Sequence, residues 1–95
     1  MQFILTGYDG TDTEAINRRM AVREEHLSNV RKLKKSGNFI WGGAIIDDDE
    51  KMIGSVVLYE FESRSELDNM LKTEPYILGG VWKEIEIEKF RLAGI

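Results

Sequence analysis

The chain has 95 residues, of which 42% are hydrophobic and 32% charged, and a formal net charge of −4. That is room for one domain, residues 1–95, with a modest core, and the negative balance argues against a dedicated nucleic-acid binder. The absence of cysteine excludes disulfides, thiolate metal sites and a cysteine nucleophile.

The opening Met1-Gln2-Phe3-Ile4-Leu5 lacks the basic flank and long apolar run of a signal peptide, and no segment approaches transmembrane length. A cytoplasmic location is the expectation. Gln2 to Tyr8 is apolar and aromatic-rich and reads as a first strand, closed by Asp9-Gly10. Thr11 and Glu14 have capping-box spacing, and a long helix is expected from there to about Ser36. Lys32, Lys34 and Lys35 suit the negative end of its dipole, and Gly37 is a natural left-handed stop.

Asn38 to Ile46 reads as a second strand. Its central Gly42-Gly43 suggests a bulge or a close approach by another group. Asp47 to Lys51 is a polar hairpin loop, and Met52 to Phe61 a third strand rich in β-branched residues. Ser63 and Glu66 repeat the capping-box spacing ahead of a short helix with Leu67, Met70 and Leu71 on one stripe, and Pro75 forbids its continuation. A loop from Glu74 to Gly80 leads to a last strand, Val81 to Phe90.

The order βαββαβ predicts an α+β, ferredoxin-like sandwich, a four-stranded antiparallel sheet with two helices on one face. In the last strand Ile85 and Ile87 oppose Glu84, Glu86 and Glu88. The third strand is apolar on both faces, with Val56 and Leu58 on one and Val57, Tyr59 and Phe61 on the other. A sheet apolar on both sides needs a second cover, so a homodimer in which uncovered sheet faces meet is expected.

On a helical wheel, Ile16, Met20, Val22, Leu27, Val30 and Leu33 share an arc of roughly 160° that should face the sheet. Arg19, Arg23 and His26 fall inside that arc, while Arg18, Glu24, Glu25, Ser28, Asn29 and Lys32 fall outside. A cation on a buried face costs several kcal/mol unless paired or wet. The three therefore line a cleft or reach its rim. Each also has a purely structural alternative: a snorkelling Arg19, a buried ion pair for Arg23, a packed His26.

Other chemistries find little support. One histidine without cysteine makes no typical zinc site, and Asp47-Asp48-Asp49-Glu50 lacks the spaced ligands and glycine of a calcium loop. Gly54-Ser55 lacks the glycine pattern of a nucleophile elbow, and no phosphate-loop lysine follows Gly42-Gly43. What remains is acid–base chemistry, with histidine carrying the proton and arginine anchoring an anion.

The run Arg18 to Leu27, containing Arg23-Glu24-Glu25-His26-Leu27, resembles the R-x-x-H-L helix signature of the YciI-like (YCII-related) family. Glu74-Pro75-Tyr76 with Gly80-Val81 is similar to that family's D-P-Y…G-V segment. Gly37, Gly43 and Gly54-Ser55 fall where members have strand glycines and a G-S pair, and Asp9 closes the first strand as an acidic residue does in several members. The chain departs from the pattern in carrying Glu74 for the aspartate, Ala44 where a proline is common, and a shorter hairpin between strands two and three.

The resemblance implies a dimeric α+β barrel and a pocket between helix and sheet that holds a histidine and an acidic partner. Related folds include muconolactone isomerases and a dehydrochlorinase of chlorinated aromatics. Carried over, His26 is the general acid or base, with Glu74 or Asp9 as its carboxylate. Arg23 anchors an anionic group and Ser55 offers a hydrogen bond from the sheet, with Tyr76 and Arg19 as further substrate-binding candidates. A small lyase or isomerase is the leading expectation, acting on a small anionic or aromatic metabolite. A non-catalytic ligand-binding or regulatory module is the alternative. An interaction domain using the basic helix end, and a haem-degrading monooxygenase with His26 as axial ligand, rank lower. No cofactor, metal, nucleic-acid or membrane partner is expected.

Overall fold

The computed structural model describes all of residues 1–95. Strand β1 (Gln2–Asp9) leads into helix α1 (Ala15–Lys35). Strands β2 (Phe39–Ile46) and β3 (Met52–Glu60) follow, then helix α2 (Arg64–Leu71), a four-residue helix α3 (Pro75–Leu78) and strand β4 (Trp82–Phe90). The sheet order is β2-β3-β1-β4, with antiparallel pairing throughout, and the fold is the ferredoxin-like α+β sandwich. No helix is long and apolar enough to cross a membrane.

Register decides which face each residue takes. Phe3, Leu5 and Gly7 of β1 stand opposite Tyr59, Val57 and Ser55 of β3 and beside Lys89, Ile87 and Ile85 of β4. This face carries the core, in which Phe3, Leu5, Val57, Tyr59, Leu67 and Tyr76 are all buried together. The other face carries Ile4, Thr6 and Tyr8 of β1, Val56 and Leu58 of β3, Trp41 and Ile45 of β2, and the row Glu84, Glu86 and Glu88 of β4. No helix of the chain covers that face.

The termini of the elements show where local chemistry won. Gly37 takes a φ of 84° just past α1, the left-handed stop its position requires. Ser63 Oγ accepts from Glu66 N at 3.2 Å, as the capping box demands, but the reciprocal arm of Glu66 reaches Glu62 N. The first capping box does not form. Asp12 takes its place, accepting from Glu14 N at 3.3 Å, and is held by two hydrogen bonds from Arg18. That guanidinium lowers the Asp12 carboxyl to about 2. The pairing of β2 with β3 shifts register between Phe39 and Trp41 and again between Ile45 and Ile46, on either side of the glycine pair rather than at it.

Residues 74–80, expected as a loop, contain α3. Pro75 is the cause. It disfavours helical backbone at the residue before it, and Glu74 is extended at φ −68°, ψ 119°. The same proline is favoured at the first position of a new helix. Glu74 is thereby fixed as an N-cap, its carboxylate accepting from Tyr76 N at 3.1 Å.

Candidate active site

In α1 the buried residues are Arg19 and His26, two turns apart on one stripe, while Ile16 and Met20 are substantially exposed. The helix turns polar groups inward over the sheet and leaves two of its apolar ones outside. Apart from tyrosines and tryptophan, the buried polar side chains of the chain are Asp9, Arg19, His26, Ser55 and Glu74. All five converge on one place, beneath α1 at the β1–β3 centre of the sheet.

Two linked sets make up the cluster. In the first, His26 Nδ1 and Glu74 Oε1 are 2.5 Å apart. Glu74 is wholly buried, and its oxygens also accept from Tyr76 N and, at 3.3 Å, from Asn29 Nδ2. A carboxylate can only accept, so His26 donates to it from Nδ1, and Nε2 is left as the free nitrogen. The Tyr76 ring stacks on the imidazole with centroids 3.8 Å apart and planes 10° from parallel. Trp82 meets both rings edge-on. Burial pushes the Tyr76 phenol up from its usual range.

In the second set, Arg19 Nη1 bonds both oxygens of Asp9, at 3.0 and 3.1 Å, and Nη2 donates to Ser55 Oγ at 2.8 Å. Trp82 Nε1 donates to the same Ser55 oxygen at 3.2 Å. The Arg19 guanidinium also lies 4.7 Å from the centroid of Tyr76, so one aromatic ring touches both sets.

Above them a cleft of about 140 Å³ opens between α1 and β2–β3. Arg19, Arg23, His26, Ser55 and Tyr76 line it together with Leu27, Val30, Phe39 and the Gly42-Gly43-Ala44 stretch of β2. Arg23 is half-buried there and takes part in none of the four ion pairs of the chain. It is a cation of the cleft wall without a countercharge in the chain. No group of three or more His, Asp or Glu side chains is placed to hold a metal.

The structure thus brings His26, Glu74, Arg23, Ser55, Tyr76 and Arg19 to one site and divides the two candidate carboxylates. Glu74 meets His26, whereas Asp9 is engaged by Arg19. Two participants had no signal in the sequence. Asn29 lies outside the apolar arc of α1 yet reaches Glu74 from one turn beyond His26. Trp82 reads as an ordinary strand-opening aromatic, but its indole N–H reaches Ser55.

The model of the YCII-related domain matches residues 1–91. The chain belongs to the YCII-related family. An uncharacterized protein of Haemophilus influenzae is 26% identical over 97 residues, covering 96% of this chain and 97% of its own length. Protein YciI of Escherichia coli O6:H1 is 25% identical with the same coverage. Among solved structures, the 5-chloro-2-hydroxyhydroquinone dehydrochlorinase TftG of Burkholderia phenoliruptrix AC1100, in complex with 2,5-dihydroxybenzoquinone, superposes with a TM-score of 0.83. It is 22% identical, with 98% of this chain and 96% of that one covered. At that identity the likeness establishes a shared fold and nothing beyond it.

Proposed function

We propose that this YCII-related protein is a small-molecule enzyme of lyase or isomerase type, acting by acid–base catalysis on a compact anionic or aromatic metabolite. The observation that carries this reading is the gathering of all five buried polar residues under one cleft with an unpaired arginine in its wall. Burying charge is costly, and a fold of this size has no structural need to concentrate that cost in one place.

Each residue has a part in such chemistry. Glu74 fixes the His26 tautomer, so that Nε2 can take a proton from a substrate carbon and return it to another. Tyr76 holds the imidazole plane by stacking. Arg23 anchors the anionic group, and Leu27, Val30 and Phe39 provide an apolar bed. The cleft matches a cavity of about 150 Å³ that accommodates benzene, so a single six-membered ring is the natural occupant. The dehydrochlorinase of the same fold is named for a one-ring hydroxylated substrate, which supports that size class. The uncovered sheet face supports a homodimer as the working form.

The test is proton exchange in D2O. Wild-type protein is incubated with a panel of hydroxyquinones and small unsaturated acids, and loss of C–H signal is followed by NMR. Exchange is expected with at least one compound, and His26→Gln should slow it by about 10²–10⁴-fold with the fold unchanged by circular dichroism. Normal exchange by the variant removes His26 from the mechanism. Tight binding with no exchange by wild type would make the cleft that of a non-catalytic binding module.

A further inference from the structure

A serine hydroxyl has two lone pairs and one proton. At Ser55 both lone pairs are occupied, one by Arg19 Nη2 at 2.8 Å and the other by Trp82 Nε1 at 3.2 Å. Guanidinium and indole are donors only, so neither can take the proton of Ser55 in exchange. Arg19 cannot swing away, because Asp9 grips its other terminal nitrogen with both carboxylate oxygens in a buried pair. The Ser55 proton has no acceptor within the chain, and Ser55, 3% exposed, lines the cleft. The hydroxyl is therefore committed as a donor into the cleft, and the cationic neighbour on its oxygen strengthens that donation.

We propose that Ser55 Oγ–H is the oxyanion donor of the site, and that the substrate carries a carbonyl on the carbon adjacent to the one whose proton His26 moves. This rests on the acid–base reading above and adds the substrate feature that reading leaves open. As Nε2 of His26 takes the carbon-bound proton, the C–H electron pair forms a carbon–carbon double bond and the carbonyl electrons move onto oxygen. Ser55 hydrogen-bonds the resulting enolate oxygen. Collapse of the enolate returns the charge, and His26 delivers its proton to carbon. Arg19, Asp9 and Trp82 are positioning residues that act through Ser55. Arg23, free of partners, is left to hold a second, remote anionic group.

Binding of 4-nitrophenol tests this without turnover, because its absorbance reports ionisation of the bound phenol. Nitrobenzene, which has the same ring and no phenolic oxygen, serves as the reference probe. Wild-type protein should bind the phenolate more tightly than nitrobenzene and lower the pKa of the bound phenol. Ser55→Ala should weaken phenolate binding by about 10–100-fold and raise that pKa, with nitrobenzene affinity unchanged. Ser55→Thr, which keeps the hydroxyl, should restore the phenolate preference. Ser55→Cys, a weak donor of similar size, carries the same expectation as alanine should the alanine variant fail to fold. Full phenolate affinity in the alanine or cysteine variant, together with a loss in Arg23→Ala, overturns the role of Ser55 and leaves the ring-binding cleft intact. Binding of neither probe to wild-type protein overturns both readings.

Discussion

Tyr59 of β3 is wholly buried in the core, and its hydroxyl has no hydrogen-bond partner. An unmet buried polar group costs about 1–3 kcal/mol, so Tyr59→Phe should raise unfolding free energy by about 1 kcal/mol in urea denaturation. The pH dependence has a definite sign. Burial raises the phenol above its ordinary pKa near 10, so the folded state holds the proton that the unfolded state releases. That contribution is intact below about pH 10 and is lost as the pH rises above it, an alkaline loss that the phenylalanine variant should escape in part. Asp9 presents the opposite case. Replacing it with asparagine leaves the Arg19 guanidinium, 3% exposed, without its countercharge, and should destabilise by about 3–5 kcal/mol in the same assay. At this scale the sequence was partly readable. Arg19 and His26 stood out because charge on an apolar arc needs a reason. The division of labour between Asp9 and Glu74 did not, because the His26–Glu74 contact spans 48 residues and depends on how α3 docks under α1.

The elements were legible where a pattern had length to repeat in. Eight- and nine-residue strands and a 21-residue helix left clear periodicities, and the open and covered sheet faces followed from alternation. Helix α3 has four residues, too few for any period, and only the backbone constraint of Pro75 marks its start. The failed cap at Thr11 has a similar origin. Three hydroxyl or carboxylate candidates, Thr11, Asp12 and Thr13, stand in a row there, and the partner Arg18 selected Asp12. One element-level contact also reaches the site. A Cβ placed on Gly7 would sit 2.6 Å from the Trp82 indole, so the bare glycine on β1 is what lets the ring lie against the sheet and reach Ser55. Gly7→Ala should therefore cost about 1–3 kcal/mol by overpacking and should change tryptophan fluorescence as the indole leaves Ser55. An unchanged spectrum and stability would show that the ring has room to move elsewhere.

At the scale of the whole molecule, the second face of the sheet has no cover from the chain itself. Trp41 is 40% and Tyr8 41% exposed there, next to Ile4, Ile45 and Val56, in a chain whose helices all lie on the opposite side. The row Glu84, Glu86 and Glu88 along β4 bounds this apolar strip. A two-fold contact centred on β4 would press like charges together in low dielectric, so a dimer should instead be centred on β1, β3 and β2 and leave the glutamates wet at its rim. Val56 is the discriminating position because it lies mid-strand between Thr6 and Gly43 and, although next to Ser55 in the chain, takes the sheet face opposite the cleft. Val56→Asp would bury two unpaired carboxylates per dimer, a cost of several kcal/mol, and should raise the dissociation constant by at least about 10³-fold. Light scattering at micromolar concentration should give twice the chain mass for wild type and for Glu86→Gln, and the single mass for Val56→Asp with an unchanged circular dichroism spectrum. Equal masses for wild type and Val56→Asp would place the contact elsewhere or remove it. Since the cleft opens beneath α1, on the far side of the sheet from this face, the dissociated variant should still bind a ring-sized ligand.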